Sequence, residues 1–256
     1  MPNIEDIFKD LHGAFDKSKL IKLKDIVGKN TSVPTLARFK EAVKALNVDS
    51  NYIFYDPESY LNSYIYLEGP VFISLYNLDP VLLGQMRVGE MISKQKKMFD
   101  ESIAKKDYDR VFTFMDKKLI IPNYIEMYPQ IPDDQKYEIF VDLHVRSEFG
   151  FEMFSHEFLK DVFSKRFNSL DWKERMEKLN KDAKIGQDGT ILVYHGHNPT
   201  VDPKDEYSWT LKLETAKFFA KRFGANGKIS KMRIKPEIVI DYFPQRGEAE
   251  IILMPK

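Results

Sequence analysis

The spacing of hydrophobic positions along this chain changes period more than once. Through residues 3–46 apolar side chains fall at helical spacing and predict two or three amphipathic helices. The clearest opens at Pro34-Thr35 and carries Leu36, Phe39, Val43 and Leu46 on one face. Residues 51–77 are dense in Tyr, Phe and Ile between the turn signals Asp56-Pro57 and Gly69-Pro70, which predicts short strands or irregular aromatic packing. From about 79 to 183 the helical period returns. Leu82, Met86, Val88, Met91 and Ile92 begin a long helix that turns polar at Lys94–Lys97. Tyr108–Met115 forms another, broken at the Ile121-Pro122 step because proline disfavours helical backbone in the residue before it. Pro132-Asp133-Asp134 reads as a helix start, its acids complementing the positive end of the helix dipole, with Tyr137, Phe140, Val141 and His144 on one face. Phe149–Phe167 and a solvated Trp172–Asp182 complete the helical region, which ends near Gly186.

After the turn cluster Gly186-Gln187-Asp188-Gly189 the period becomes that of strands. Thr190–Tyr194 is β-branched and aromatic, Ile229–Lys235 alternates apolar and basic residues, and Ile238-Val239-Ile240 and Ile251-Ile252-Leu253 read as buried strands. One helix interrupts them at about Glu214–Phe223, with Ala216, Phe219, Ala220 and Phe223 in one stripe and Gly224 placed as its C-cap. The expected class is therefore α+β: a mostly helical region, 1–185, followed by a sheet-forming region, 186–256. So short a second region buries little surface alone, so the preceding helices are expected to complete its core.

Composition narrows the possibilities. The chain has 256 residues, 43% hydrophobic and 30% charged, as in an ordinary globular protein. Lys plus Arg and Asp plus Glu both number 39, so bulk attraction to nucleic acid or anionic membrane is not expected, although a local basic patch is compatible with this balance. No cysteine is present, which excludes disulfides, thiolate catalysis and Cys-ligated zinc and suits a reducing cytoplasm. The first residues lack a signal-peptide pattern and no apolar run has the length of a membrane span, so a cytoplasmic protein with no membrane partner is expected.

Most of the chain carries no recognisable chemistry. Val27-Gly28-Lys29-Asn30-Thr31 lacks the upstream glycine and the hydroxyl residue that a phosphate loop needs, and His156-Glu157 lacks the second histidine of a zinc-protease helix. The candidates collect after residue 190. His195 and His197 share a face of one strand end, with Gly196 between them leaving room for another backbone or a ligand. A metal pair would need further ligands at a recognisable spacing, and none is present; the alternative is structural hydrogen bonding. In Ser208-Trp209-Thr210 the hydroxyls face one way, as a polar face or a helix cap, and Trp209 faces the core. The Phe219 stripe reads as packing on the sheet. Glu248 and Glu250, two residues apart on a strand, would share a face just before a buried run. They form either a cleft edge that needs negative charge or a strand end still in water.

Taken in order, Tyr194-His195-Gly196, Ser208-Trp209-Thr210 and Glu248-Ala249-Glu250 resemble the three NAD-gripping elements of the ADP-ribosyltransferase superfamily, in a Ser-Trp-Thr form similar to variants from phages and bacterial toxin or anti-phage systems. The resemblance covers about 186–256. It departs from the Ser-x-Thr branch in carrying His195 where that branch has Arg, as the poly-ADP-ribose polymerase branch does. It implies a split β-sheet and NAD as substrate, with no metal. Glu250 would be the catalytic carboxylate beside the nicotinamide ribose, and Glu248 would orient or deprotonate the acceptor or steady Arg246 on the acceptor side. His195 would bind the adenosine ribose, and Ser208 and Thr210 would hold the strand and the nicotinamide ribose. Tyr194, Gly196, Trp209 and Phe219 complete the implied cofactor-facing set. The implied activity is mono-ADP-ribosyl transfer to a protein or nucleic-acid acceptor, in a toxin or phage-conflict effector that an antitoxin or regulatory protein could control. The alternatives are NAD glycohydrolysis and a non-catalytic interaction module.

Overall fold

The computed structural model describes residues 16–29, 34–59, 64–147, 151–200, 202, 206–222, 226–244 and 247–254. Expectations placed on residues 3–15, on Phe223 and Gly224, and on Arg246 lie outside that set. The chain is α+β, with two antiparallel sheets and two compact units, Met1–Ser155 and His156–Lys256.

The first unit holds a meander of β1 (Ile21–Lys22), β2 (Ile53–Tyr55), β3 (Tyr64–Glu68) and β4 (Val71–Ser74), each strand antiparallel to the next. Its helices are α1 (Leu23–Ile26), α2 (Leu36–Leu46), α3 (Pro80–Gln85), α4 (Val88–Ala104), α5 (Tyr108–Phe114), α6 (Lys117–Met127) and α7 (Asp133–Arg146). Two boundaries differ from the sequence reading. The long helix expected from Leu82 is two helices, because Arg87 adopts a left-handed conformation (φ 53°) between α3 and α4. The break expected at Pro122 falls instead at Asp116, whose carboxylate caps α6 by accepting from the Lys118 N–H; α6 then runs through Pro122. Buried Leu119, Ile120, Ile121 and Tyr124 hold α6 together, and their packing outweighs the one backbone hydrogen bond that proline forfeits. Tyr124 sits in an aromatic cluster, 5.7 Å from the Phe112 ring and 5.5 Å from Tyr128, and its hydroxyl donates to the Lys136 carbonyl.

The second unit begins earlier than the change of period at 186. It takes in α8 (His156–Ser164) and α9 (Leu170–Asp182), followed by β5 (Ile191–His197), β6 (Ser208–Thr210), α10 (Leu213–Lys221), β7 (Lys228–Ile234), β8 (Val239–Phe243) and β9 (Glu250–Leu253). The strands form one antiparallel sheet in the order β7-β5-β6-β9-β8. Ile191, Val193, Trp209, Ile251 and Leu253 make its core together with Leu179 from α9, so the helix before the strands does complete the core.

Polar contacts fix α9 along β8. The Trp172 indole donates to the Ile240 carbonyl at 2.7 Å, the Tyr242 hydroxyl donates to Asp182 at 2.8 Å, and Arg175 grips Asp241 with Nε and Nη2 at 2.7–3.0 Å. Asp241 is fully buried and also accepts from the Tyr242 N–H, so its charge is matched on both oxygens.

Helix α10 seats on the sheet through two glycines. A Cβ on Gly196 of β5 would lie 2.1 Å from the Ala216 carbonyl oxygen, and one on Gly227, just before β7, would lie 1.8 Å from that of Ala220. The close neighbour for which Gly196 leaves room is thus this helix backbone.

Candidate functional site

Strands β5 and β6 pair at one position, Tyr194 opposite Thr210, and Thr210 in turn pairs with Glu250 of β9. Tyr194, Thr210 and Glu250 therefore form a row across three strands. Beyond that row β6 stays with β9 while β5 runs on with β7, and a cavity of about 110 Å³ opens where β5 and β6 part.

Its walls are Tyr194, His195 and Gly196 from β5, Ser208, Trp209 and Thr210 from β6, Thr215, Ala216 and Phe219 from α10, and Glu248 and Glu250. Of the candidates drawn from the sequence, Tyr194, His195, Gly196, Ser208, Trp209, Thr210, Phe219, Glu248 and Glu250 come to this one cavity; His197 does not, and Arg246 lies outside the described residues. Thr215 is the wall residue that the sequence reading misses, although it sits one turn before Phe219 on the same helix face.

The carboxylates are held differently. Glu250 begins β9 and is half-buried; the Ser208 hydroxyl donates to its Oε1. Glu248 precedes the strand. Between them Ala249 is left-handed (φ 49°), so the alternation expected of two carboxylates on one strand does not apply, and Glu248 reaches the cavity from the turn. That conformation costs an alanine about 1–2 kcal/mol. The turn is tied down around it. The Thr210 hydroxyl donates to the Glu248 carbonyl at 2.5 Å and accepts from the Lys212 N–H at 3.0 Å, and the Lys212 ammonium donates to the Gly247 carbonyl at 2.6 Å. The Leu211 N–H donates to the Ala249 carbonyl, and the Ala249 methyl lies in the core.

The two histidines separate in role. His197 is buried, its Nδ1 donating to the Asn198 carbonyl at 2.8 Å and its Nε2 facing the Ser230 hydroxyl at 2.9 Å, which is structural hydrogen bonding. His195 faces the cavity, with its ring 5.3 Å from Trp209 and 5.5 Å from His197. Burial, against a hydrogen bond to the Ser208 backbone and with the His197 ring adding to it, pulls its pKa down from 6.5 to about 4. At neutral pH His195 is a neutral donor and acceptor.

Aromatic rings supply the remaining wall. Phe219 is braced by Phe218 at 5.5 Å and by the Arg222 guanidinium at 5.1 Å, and the Trp209 indole donates to the Glu206 carbonyl. Among the described residues no group of acidic and histidine side chains is arranged to hold a metal ion, and no helix is long and apolar enough to cross a membrane. The site thus combines two carboxylates, a neutral imidazole and aromatic faces around a space on the order of the ~150 Å³ that holds one benzene ring. Aromatic faces beside carboxylates suit a flat, positively charged ring. Comparison of the chain with protein-family models, with curated proteins and with solved structures gives no match.

Proposed function

We propose that this chain is an ADP-ribosyltransferase that cleaves NAD and passes ADP-ribose to a macromolecular acceptor, its C-terminal sheet serving as the split sheet of that superfamily. The observation that supports this reading best is the convergence of Tyr194, His195, Ser208, Thr210, Phe219, Glu248 and Glu250 on one small cavity at the fork between β5 and β6. The order of these residues along the chain resembles that superfamily, and the cavity suits a nicotinamide ring, with the rest of the dinucleotide outside it.

In the reaction the bond from the ribose anomeric carbon to the pyridinium nitrogen breaks, and its electron pair stays with the nitrogen, so nicotinamide leaves neutral. Positive charge grows on the ribose as it does so. The Glu250 carboxylate, aimed by Ser208, stabilises that charge more in the transition state than in the ground state. An acceptor N–H or O–H attacks the anomeric carbon, a new bond to that carbon forms, and the displaced proton passes to Glu248 or to water. On this reading His195, neutral at the cavity wall, hydrogen-bonds a ribose hydroxyl without adding a charge that would oppose the developing cation.

The test is incubation of the purified chain with NAD labelled in its adenosine half, following nicotinamide release and the fate of the label, with Glu250→Gln alongside. Nicotinamide release and labelled macromolecule that both vanish in the variant are expected. Undiminished turnover by Glu250→Gln, or no NAD binding or consumption by the wild type, would overturn the reading.

A further inference from the structure

A second, larger hollow in the same unit carries four basic side chains in its lining. It has a volume of about 750 Å³, and its lining includes Lys178, Lys184, Lys212, Arg233, Leu192 and Tyr194. The one carboxylate among its lining residues, Asp182, already accepts from the Tyr242 hydroxyl, and Asp188 beside it is engaged by Arg233 at 3.6 Å. Lys178 and Lys184 are exposed, with no ion pair among the described residues. The β5–β7 register places Arg233 opposite Leu192 and the exposed Lys231 opposite Tyr194, continuing the basic row toward the cavity. Because the whole chain has equal numbers of acidic and basic residues, this concentration is local and does not reflect a general excess.

Tyr194 joins the two spaces, since it lines both the groove and the candidate cavity. A cationic groove that ends on an aromatic ring is the arrangement by which proteins hold unpaired nucleotides, with cations following the phosphates and the ring stacking on a base. We infer that this groove binds single-stranded nucleic acid and that, resting on the transferase reading above, the acceptor is a nucleic-acid group delivered past Tyr194 to Glu248. A single strand is required because a base inside a duplex cannot turn its reactive edge toward a ribose held at the mouth of the cavity. The groove side chains fix the strand without reading its sequence, so affinity is governed by salt.

The experiment is fluorescence anisotropy of the full chain with short labelled oligonucleotides of mixed sequence: single-stranded RNA, single-stranded DNA and duplex DNA, with polyglutamate as an acidic-peptide probe. Each is titrated at several salt concentrations, in wild type, K178E/K184E and K178Q/K184Q. Single strands are expected to bind more tightly than duplex or polyglutamate, and the RNA and DNA arms show which sugar is preferred. The charge-reversed variant should bind at least tenfold more weakly. In the neutral variant the slope of log affinity against log salt should shrink by roughly 1.4, about 0.7 for each phosphate that no longer meets a lysine. Both lysines are exposed, so the melting temperature should match wild type in both variants. No single-strand binding, variants that bind like wild type, or equal affinity for polyglutamate would overturn the groove assignment. Because binding is measured without NAD, a chain that binds strands but leaves NAD intact would retain the groove and lose the transferase reading. One that consumes NAD and ignores nucleic acid would do the reverse.

Discussion

The Ser208 hydroxyl donates to the carboxylate of Glu250 across the β6–β9 pair, where the two side chains are diagonal neighbours on one face of the sheet. The contact fixes the direction of the carboxylate before any ligand arrives. A hydrogen bond to a charged group contributes about 1.5–3 kcal/mol. On the proposed mechanism Ser208→Ala therefore lowers kcat/KM for NAD roughly tenfold to a hundredfold, mainly through kcat. Glu250→Gln costs about a hundredfold to a thousandfold. Steady-state nicotinamide release checks both, and an effect of Ser208→Ala confined to KM would remove the orienting role.

His195 makes stability depend on pH. Its folded pKa of about 4 lies below the unfolded 6.5, so between those values the unfolded chain takes up a proton that the folded chain does not. Stability therefore falls as pH drops through that window, by at most ~1.4 kcal/mol per pH unit from this group, and is unaffected by it above the window. Urea unfolding at mildly acidic and neutral pH should show a steeper loss in wild type than in His195→Gln. The hydrogen-bond partners of the neighbouring His197, the Asn198 carbonyl and the Ser230 hydroxyl, do not include His195.

Gly196→Ala places a methyl group 2.1 Å from the Ala216 carbonyl oxygen and 2.7 Å from the Ala220 nitrogen. Both are backbone atoms of α10 and cannot swing aside, so the helix must lift. The expected cost is ~1–3 kcal/mol, as for other overpacked sites, read as a lower melting temperature. Since α10 carries Thr215, Ala216 and Phe219, ligand affinity should fall with it.

Arg175→Met leaves the buried Asp241 carboxylate without its guanidinium and should cost ~3–5 kcal/mol in denaturant unfolding. Adding Asp241→Asn should recover part of that stability, because no charge then remains to be matched. A double variant no more stable than the single one would show that the shape of the pair matters more than its charge.

Much of the cavity was legible because its parts are short and local. Ser208-Trp209-Thr210 forms a strand by its own alternation, and the glycine of His195-Gly196-His197 signalled a close approach before the approaching helix was known. What stayed hidden depends on partners far away in the chain or on backbone choices that the residue type does not favour. Arg175 and Asp241 are 66 residues apart, and nothing local marks either as buried. Ala249 and Arg87 are left-handed although neither residue type prefers it, because the tied turn in one case and the packing on either side of the break in the other override intrinsic preference. Pro122 misled for the same reason, whereas the expectation that a preceding helix completes the core of the sheet is met by Leu179.

The outer position of β7 has its own consequence. Among the described residues it is hydrogen-bonded to β5 alone and forms the end of the sheet order, so its other flank presents backbone donors and acceptors. Lys228, Lys231 and Arg233, all exposed, line that border and repel a second copy of themselves, which discourages two molecules from zipping together edge to edge. Neutralising those cations, by mutation or by chemical acylation, should turn a solvated border into a nucleus for fibrous self-association.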